Sequence, residues 1–583
     1  MNSIGLDFGT TYSVIAALGQ DLTLNAAMLN DEDCSPFYDS LVVRRADGTL
    51  SFGRLARTEI WQPGSTVYKG FKLMLAEEDP RLLKERGYDS STTPEDVVRG
   101  YLADLLKRYQ KRYGEIDRLV IGVPEIWVEN SVKQRCYERL YDLAAGMGLA
   151  REVVLLSEPT CACAYYVEKF KEKNGGAIFQ GNVLIVDYGG GTLDIALCQV
   201  ENERGTPKVT VLHRSGAGAN EEGVLGKAGF AFMEEIVRLA LAAGGLSPEE
   251  INCEENKGAL YECVYTLEEV FKSLNLTDSG RDKRKRLQEI QFSLARVYQD
   301  QTEFALLSFR RQKELDGSLY QILEQVTVTY GMVARAFQEK IAPVLNSRLD
   351  DMIRYMREHQ IAYGLGEDHF KIQLIGGFCN FCWVQYGVRK KLGLSALEDR
   401  RYIGELSNAD ERTMAVACGA ALLANEQTRY GFVSQYSIGL PAKYQTAART
   451  LWAIRRDMEL TTGRIYLFKS SERHAAIIGA DGIEELIYQG DCGPESVALD
   501  PQYAGMLRMN TENMSGYIMG ISQDRSKIIT FHWWEVTQLG KIARQLDRLE
   551  ERLAQGEQVE GLGSEHRERL NKALRLGNAA LAR

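Results

Sequence analysis

The chain has 583 residues, 45% of them hydrophobic and 26% charged, and a net charge of −10. That length exceeds what one hydrophobic core serves and predicts several domains. Acids and bases are interspersed, which excludes nucleic acid as a main partner, and no apolar run nears the roughly 18 residues of a membrane span.

The N-terminus, Met1-Asn2-Ser3-Ile4-Gly5-Leu6-Asp7, meets an acid at once and has no basic start. It does not read as a secretory signal, so a cytoplasmic location is expected. Ile4 to Asp7 is a short apolar strand ending on an acid; Phe8-Gly9-Thr10 turns, and 11–18 returns as a second strand. Thr93 stands as the N-cap of an amphipathic helix over 94–113. A buried strand over 119–124 ends at Pro124, a helix follows over 130–147, and 153–156 is another strand.

Leu184-Ile185-Val186-Asp187-Tyr188-Gly189-Gly190-Gly191-Thr192-Leu193-Asp194 repeats the opening hairpin, with Asp187 on Asp7, Tyr188 on Phe8 and Gly189 on Gly9. The repeat predicts an internally duplicated, two-lobed α/β domain. In the second lobe the pattern predicts helices near 230–243 and 261–274, then a long, charged, mostly helical stretch to about residue 323. The basic run 281–286 reads as a solvated helix face. Leu287, Ile290, Leu294 and Val297 share one face of that helix, whose ordinary fate is burial against the same lobe. A strand over 372–375 enters a glycine turn, and 413–424 is an Ala-rich helix. Residues 430–535 carry short strand-like runs broken at Asp481-Gly482 and Gly493-Pro494, a β-rich module, and 536–583 read as a helical tail. The boundaries expected are therefore 1–429 (lobes about 1–170 and 171–429), 430–535 and 536–583.

The eleven cysteines are scattered, many in apolar settings such as Cys161, Cys163, Cys198 and Cys418, and suit a reducing compartment. Cys379 and Cys382 have CxxC spacing but no second pair to complete a zinc site.

The chemistry lies in the two related turns. Gly9 with Thr10-Thr11, and Gly189-Gly190-Gly191 with Thr192, expose backbone N–H groups where phosphates can approach. Asp7, Asp187 and Asp194 suit Mg²⁺ held through its retained waters. No GxxxxGK[ST] occurs, and Gly216-Ala217-Gly218-Ala219-Asn220-Glu221 fails GxGxxG at its last position.

The motif set resembles the seventy-kilodalton heat-shock chaperones, the DnaK family. Asp7-Phe8-Gly9-Thr10-Thr11-Tyr12-Ser13 is similar to their first phosphate motif, and 187–194 to their second. Ser157-Glu158-Pro159-Thr160 with its Ala-rich sequel resembles their connecting motif, and 120–124 the strand ending in their switch proline. Leu374-Ile375-Gly376-Gly377 resembles the adenosine motif, and Asp410-Glu411 with 415–421 the closing helix. The motifs keep family order over about residues 3–425. The resemblance implies an actin-like, ribonuclease-H-like two-lobed ATPase that uses ATP and Mg²⁺. Asp7, Asp187 and Asp194 would position metal and phosphates; Glu158 would place the attacking water. Thr10, Thr11 and Thr192 would contact phosphate. Tyr12, Glu269, Lys272, Gly376, Gly377, Asn380 and Asp410 would line the nucleotide site, and Pro124 and Arg135 would relay its state. For the catalytic lysine a one-residue shift selects Lys72, with Lys69 the alternative.

Departures from the family are plain. Phe378-Cys379-Asn380 replaces the usual Ser and ring-stacking Arg, so adenine packing must differ. The paired glycines and acid of the second lobe become Leu225-Gly226-Lys227-Ala228-Gly229-Phe230-Ala231. The segment between Lys272 and Val326 is longer, which predicts a lobe tip that blocks the usual exchange factor or recruits a private one. The implied function is an ATPase coupled to a protein client, with a co-chaperone and exchange factor as possible partners. A nucleotide-sensing scaffold for one dedicated partner and an actin-like polymerising ATPase are the rival readings.

Overall fold

The computed structural model describes residues 2–433 except 20, 31–34, 61, 78, 126, 128–133, 218–227, 275–276, 316–317, 364–368, 395–405 and 407–408, and beyond these the backbone of nine strands between Ser437 and His532. The chain divides into two compact units. One holds Met1–Trp127, Arg135–Val209 and Arg214–Arg429; the other gathers Val128–Gln134, Thr210–His213 and the chain from Tyr430 onward.

Two sheets organise the first unit. In one, Ser3–Phe8 runs antiparallel to Tyr12–Leu18, with Asp7 opposite Val14, and parallel to Ile116–Val123, with Asp7 opposite Gly122. In the other, Gly181–Tyr188 runs antiparallel to Leu193–Glu203, with Asp187 opposite Asp194, and parallel to Phe370–Ile375, with Asp187 opposite Ile375. Strands flanked on both sides read as continuous apolar runs because both faces are covered. Ile4, Leu6 and Phe8 are buried, as are Val183, Leu184, Ile185 and Val186. Each central strand therefore carries one carboxylate near its C-terminal end, with the same pairing pattern around it.

Helices close over the first sheet through small residues. Glu158–Lys173 starts at Ser157, whose hydroxyl accepts from the Thr160 N–H. Ala409–Ala424 crosses it so closely that a Cβ on Gly419 would lie 1.6 Å from the Cys161 carbonyl oxygen. The same helix presses on the strands, where a Cβ on Gly5 would meet the Ala417 carbonyl oxygen at 2.2 Å. Neither obstacle is a side chain that can swing away. Gly419→Ala is thus expected to destabilise the protein by about 1–3 kcal/mol or more through overpacking, read as a lower urea midpoint with an unchanged slope.

Pro94–Tyr113 forms as its sequence predicts, with a reciprocal capping box between Thr93 and Asp96. The expected helix to about residue 323 does not. Helix Asp278–Ile290 is followed by a 3₁₀ segment, Gln291–Arg296, broken at Ser293. The chain then forms a long antiparallel hairpin, Glu303–Leu315 with Ser318–Thr329. Ala305, Leu307 and Phe309 are buried while Leu306 and Arg310 are exposed, a period of two that an apolar residue on the exposed face conceals. Asp316-Gly317 between the runs was the hairpin signal. The apolar stripe is not one helix face, but Leu287, Leu294 and Val297 are buried, and the Trp383 indole N–H donates to the Leu287 carbonyl at 2.7 Å. That stripe packs on its own unit.

In the second unit eight of the described strands make two four-stranded antiparallel sheets, while Leu460 and Glu459 pair with Phe432 and Val433. One orders Ala447–Ile454, Ser437–Tyr444, His474–Ile478 and Glu484–Gln489; the other orders Ile465–Lys469, Ala504–Met509, Gly516–Ile521 and Ile528–His532. The expected tail over 536–583 lies outside the described residues. No described helix is long and apolar enough to cross a membrane.

Candidate active site

The two glycine turns meet face to face. A Cβ on Gly190 would stand 2.4 Å from the Thr11 hydroxyl, and one on Gly191 2.1 Å from the Thr10 hydroxyl. A side chain at either glycine would have to displace a threonine hydroxyl. The start of helix Gly229–Ala243 steadies the second turn, Phe230 N–H donating to the Gly190 carbonyl at 2.7 Å. Gly376 has a φ of 79°, and a Cβ there would lie 2.5 Å from Asp187 Oδ1, so the glycine turn is what lets this loop reach the carboxylate.

A cavity of about 570 Å³ opens at this junction. Its wall includes Asp7, Lys72, Glu158 and Asp187, the first turn from Gly9 to Tyr12, and the second from Gly189 to Thr192. Glu269, Lys272, Gly376, Gly377, Asn380 and Asp410 line the rest. Residues spread over some 400 positions of sequence thus share one wall. Asp194 does not. It is fully buried behind the wall, where its Oδ1 accepts the Glu125 backbone N–H at 2.7 Å. The structure places Asp194 off the cavity wall, paired across the hairpin with Asp187. The Arg135 side chain lies outside the described residues.

Lys72 and Lys69 go separate ways. Lys72 Nζ donates to Glu158 Oε1 at 2.6 Å, with both side chains nearly buried. Lys69 Nζ donates to the Tyr265 hydroxyl at 3.2 Å and sits 4.4 Å from that ring's centre, and it is absent from the cavity wall. Short helix Phe71–Met74, entered through left-handed Gly70, turns Lys72 toward Glu158.

Negative charge exceeds positive around this pair. Burial pushes the Asp7 carboxyl up to about 7, helped by Glu158 and opposed by Lys72. Burial, then Glu158, Asp194 and Asp7, hold the Asp187 carboxyl well above the usual range. Asp194 is raised by burial and by Glu158, while a hydrogen bond with Thr192 works against that. A divalent cation fits such an array, since it would supply the missing positive charge. No three His, Cys, Asp or Glu side chains among the described residues form a ready metal cluster. An ion held by Asp7 and Asp187 would keep most of its waters, as Mg²⁺ does.

The raised carboxyl makes a prediction about stability. The unfolded chain releases the Asp7 proton near 3.8, whereas the folded protein keeps it to about 7. The folded state binds the extra proton across that window, so this contribution to stability is lost as pH rises through it. Ligand-free protein should melt lower at about pH 7.5 than at about pH 5.5, and Asp7→Asn should shrink the difference. Differential scanning calorimetry of both proteins checks this.

On the wall near Asn380 the sequence reading omits Arg412. It lines the cavity and its Nε donates to Asn380 Oδ1 at 2.9 Å. No motif marks it, because its position depends on the pitch of the closing helix. Arg284, from the basic run, also reaches the wall. Phe378 is drawn into an aromatic cluster, 5.0 Å from Tyr188 and 5.2 Å from Phe232. Across the cavity Lys272 donates to the Tyr12 hydroxyl and to Glu269 Oε1, the latter at 2.8 Å, and burial draws its ammonium down to about 8. Cys379 and Cys382 are buried, the Cys379 thiol donating to the Val186 carbonyl at 3.4 Å.

No family model matches the chain. Among curated proteins, the chaperone protein DnaK of Mycoplasmopsis pulmonis is 26% identical over 200 residues, which are 34% of this chain and 30% of that protein. DnaK of Thermotoga neapolitana and DnaK of Thermotoga maritima are each 28% identical over 201 residues, again 34% of this chain and 30% of theirs. The matched stretch therefore spans under a third of these relatives' length. Over that stretch the chain is a divergent relative of the DnaK chaperones.

Proposed function

We propose that this protein is a divergent DnaK-like ATPase that binds Mg²⁺-ATP between two duplicated lobes and couples its hydrolysis to the grip on a protein client. The observation that carries the reading is the meeting of two glycine turns, each beside a strand-end carboxylate, at a cavity with the buried Lys72–Glu158 pair. The relatives are DnaK chaperones, and the coupling to a client comes from that likeness.

In this reading Asp7 and Asp187 hold Mg²⁺, which when bound offsets phosphate charge and orients the triphosphate. The backbone of 189–191 and the hydroxyls of Thr10, Thr11 and Thr192 cradle the phosphates. Lys72 stands at the γ-phosphate. Glu158, fixed by Lys72, orients a water whose oxygen attacks the γ-phosphorus while the bond to the bridging oxygen breaks. ADP and inorganic phosphate result, by positioning and charge stabilisation rather than a covalent intermediate. The domain limits proposed are 1–429 for the ATPase, 430–535 for the client or partner module and 536–583 for the tail. A co-chaperone, an exchange factor and a cytoplasmic setting belong to the same proposal.

Titration calorimetry with ATP, with and without Mg²⁺, tests the site. Binding that is tighter with Mg²⁺ supports it; no binding of any nucleotide overturns it. The rival scaffold reading draws on Phe378 and on the Asn380–Arg412 contact, which leave the adenosine side unlike the family's. Mg²⁺-ATP binding without single-turnover hydrolysis would select it.

A further inference from the structure

Beyond the cavity wall, the first unit holds a completely buried ion pair. Glu125 and Arg214 have side chains 0% and 1% exposed, and Arg214 Nη1 lies 3.0 Å from Glu125 Oε1. Neither residue lines the cavity. The pair joins the two sheets. Glu125 follows Ile116–Val123 of the first sheet, while Arg214 lies in Thr206–Ala217 of the second. The strand next to Thr206–Ala217 is Leu193–Glu203, which carries Asp194. Glu125 thus touches the second sheet twice: its backbone N–H holds Asp194 Oδ1 at 2.7 Å, and its carboxylate holds Arg214.

A buried ion pair is poor evidence for stability, because desolvation cancels much of the attraction and an apolar pair of like volume often does as well. Its strength does depend on the exclusion of water. A pair that spans two sheets is strong while they stay together and weak once water enters between them.

We infer that Glu125 and Arg214 form a latch between the two sheets that positions Asp194 and limits how fast the cleft opens to release nucleotide. Glu125 is a positioning residue: it acts through Asp194 and touches no substrate. The latch rests on the nucleotide-site reading for its consequence, but its closure is a property of the folded chain and is measurable without ligand.

The test uses the full chain and two variants. Glu125→Gln with Arg214→Met removes both charges together and leaves no lone buried ion; Arg214→Lys keeps the charge but loses the guanidinium fork. In ligand-free protein, amide hydrogen exchange over 116–125 and 193–203 should quicken in the double variant. Stopped-flow release of a fluorescent ATP analogue should quicken about five- to hundredfold, the usual span of coupling between sites. Arg214→Lys should fall between the double variant and the unaltered protein in both readouts, and it decides the matter if the double variant fails to fold. A lower melting temperature with unchanged exchange over those segments and unchanged release would show a purely structural pair and overturn the inference. If the unaltered protein binds no analogue, the nucleotide reading fails and the exchange measurement alone judges the latch.

Discussion

Asp187→Asn should lower single-turnover ATP hydrolysis by roughly 10²–10³-fold, the loss expected when one preorganised charge-stabilising group is removed. Asp187 ends a central strand, lines the cavity and faces both Asp7 and Glu158. Its carboxyl is raised first by burial and then by the acids gathered around it. A neutral amide relieves that repulsion, so the variant should fold at least as well as the original when no ligand is present. Mg²⁺-ATP should lose affinity while Mg²⁺-free ATP loses little, since the metal is what the charge holds. Calorimetry on both forms decides it: a variant that keeps the original preference for Mg²⁺-ATP refutes the assignment.

Lys72→Ala should have the second large effect, and for two separable reasons. It leaves Glu158 buried without its partner, which costs about 3–5 kcal/mol. It also removes a cation from a wall crowded with carboxylates, and single-turnover hydrolysis should fall at least about tenfold, or about 1.4 kcal/mol of barrier. Pairing Lys72→Met with Glu158→Gln tests the first reason: stability should return, by urea denaturation, once no buried charge is left alone. Lys69→Ala should leave hydrolysis near that of the unaltered protein, because Lys69 is engaged with Tyr265 away from the cavity. Loss of hydrolysis in Lys69→Ala alone reverses the choice between the two lysines.

The legible parts of this chain are those where local sequence and tertiary role coincide. The repeated strand-acid-glycine pattern around Asp7 and Asp187 could be read because a strand end, a turn and a phosphate cradle all need the same few residues in a row. The N-cap at Thr93 is local chemistry and forms as expected, with Asp96 completing a capping box. The hairpin over 303–329 differs from the expected helix because its exposed face carries Leu306, Tyr320 and Leu323, so apolar residues fall on both faces and period two shows only when burial is known. Asp194 was legible as an acid beside a glycine turn but not as a residue behind the wall: a register of one opposite Asp187 sets that, and registers are not written locally. Glu125, Arg214 and Arg412 left no signal because their partners stand 69, 89 and 32 positions away.

The carboxylates around Lys72 have a practical consequence for whoever handles the protein. A site that repels itself when empty makes the ligand-free chain its most fragile form, and whatever neutralises the cleft then acts as a folding aid with a strength set by mass action. Preparations stripped by chelators should therefore be the ones that precipitate, and the melting temperature becomes a gauge of occupancy that needs no turnover. On the proposed function, the same arithmetic would tie the stability of the chain to its supply of nucleotide.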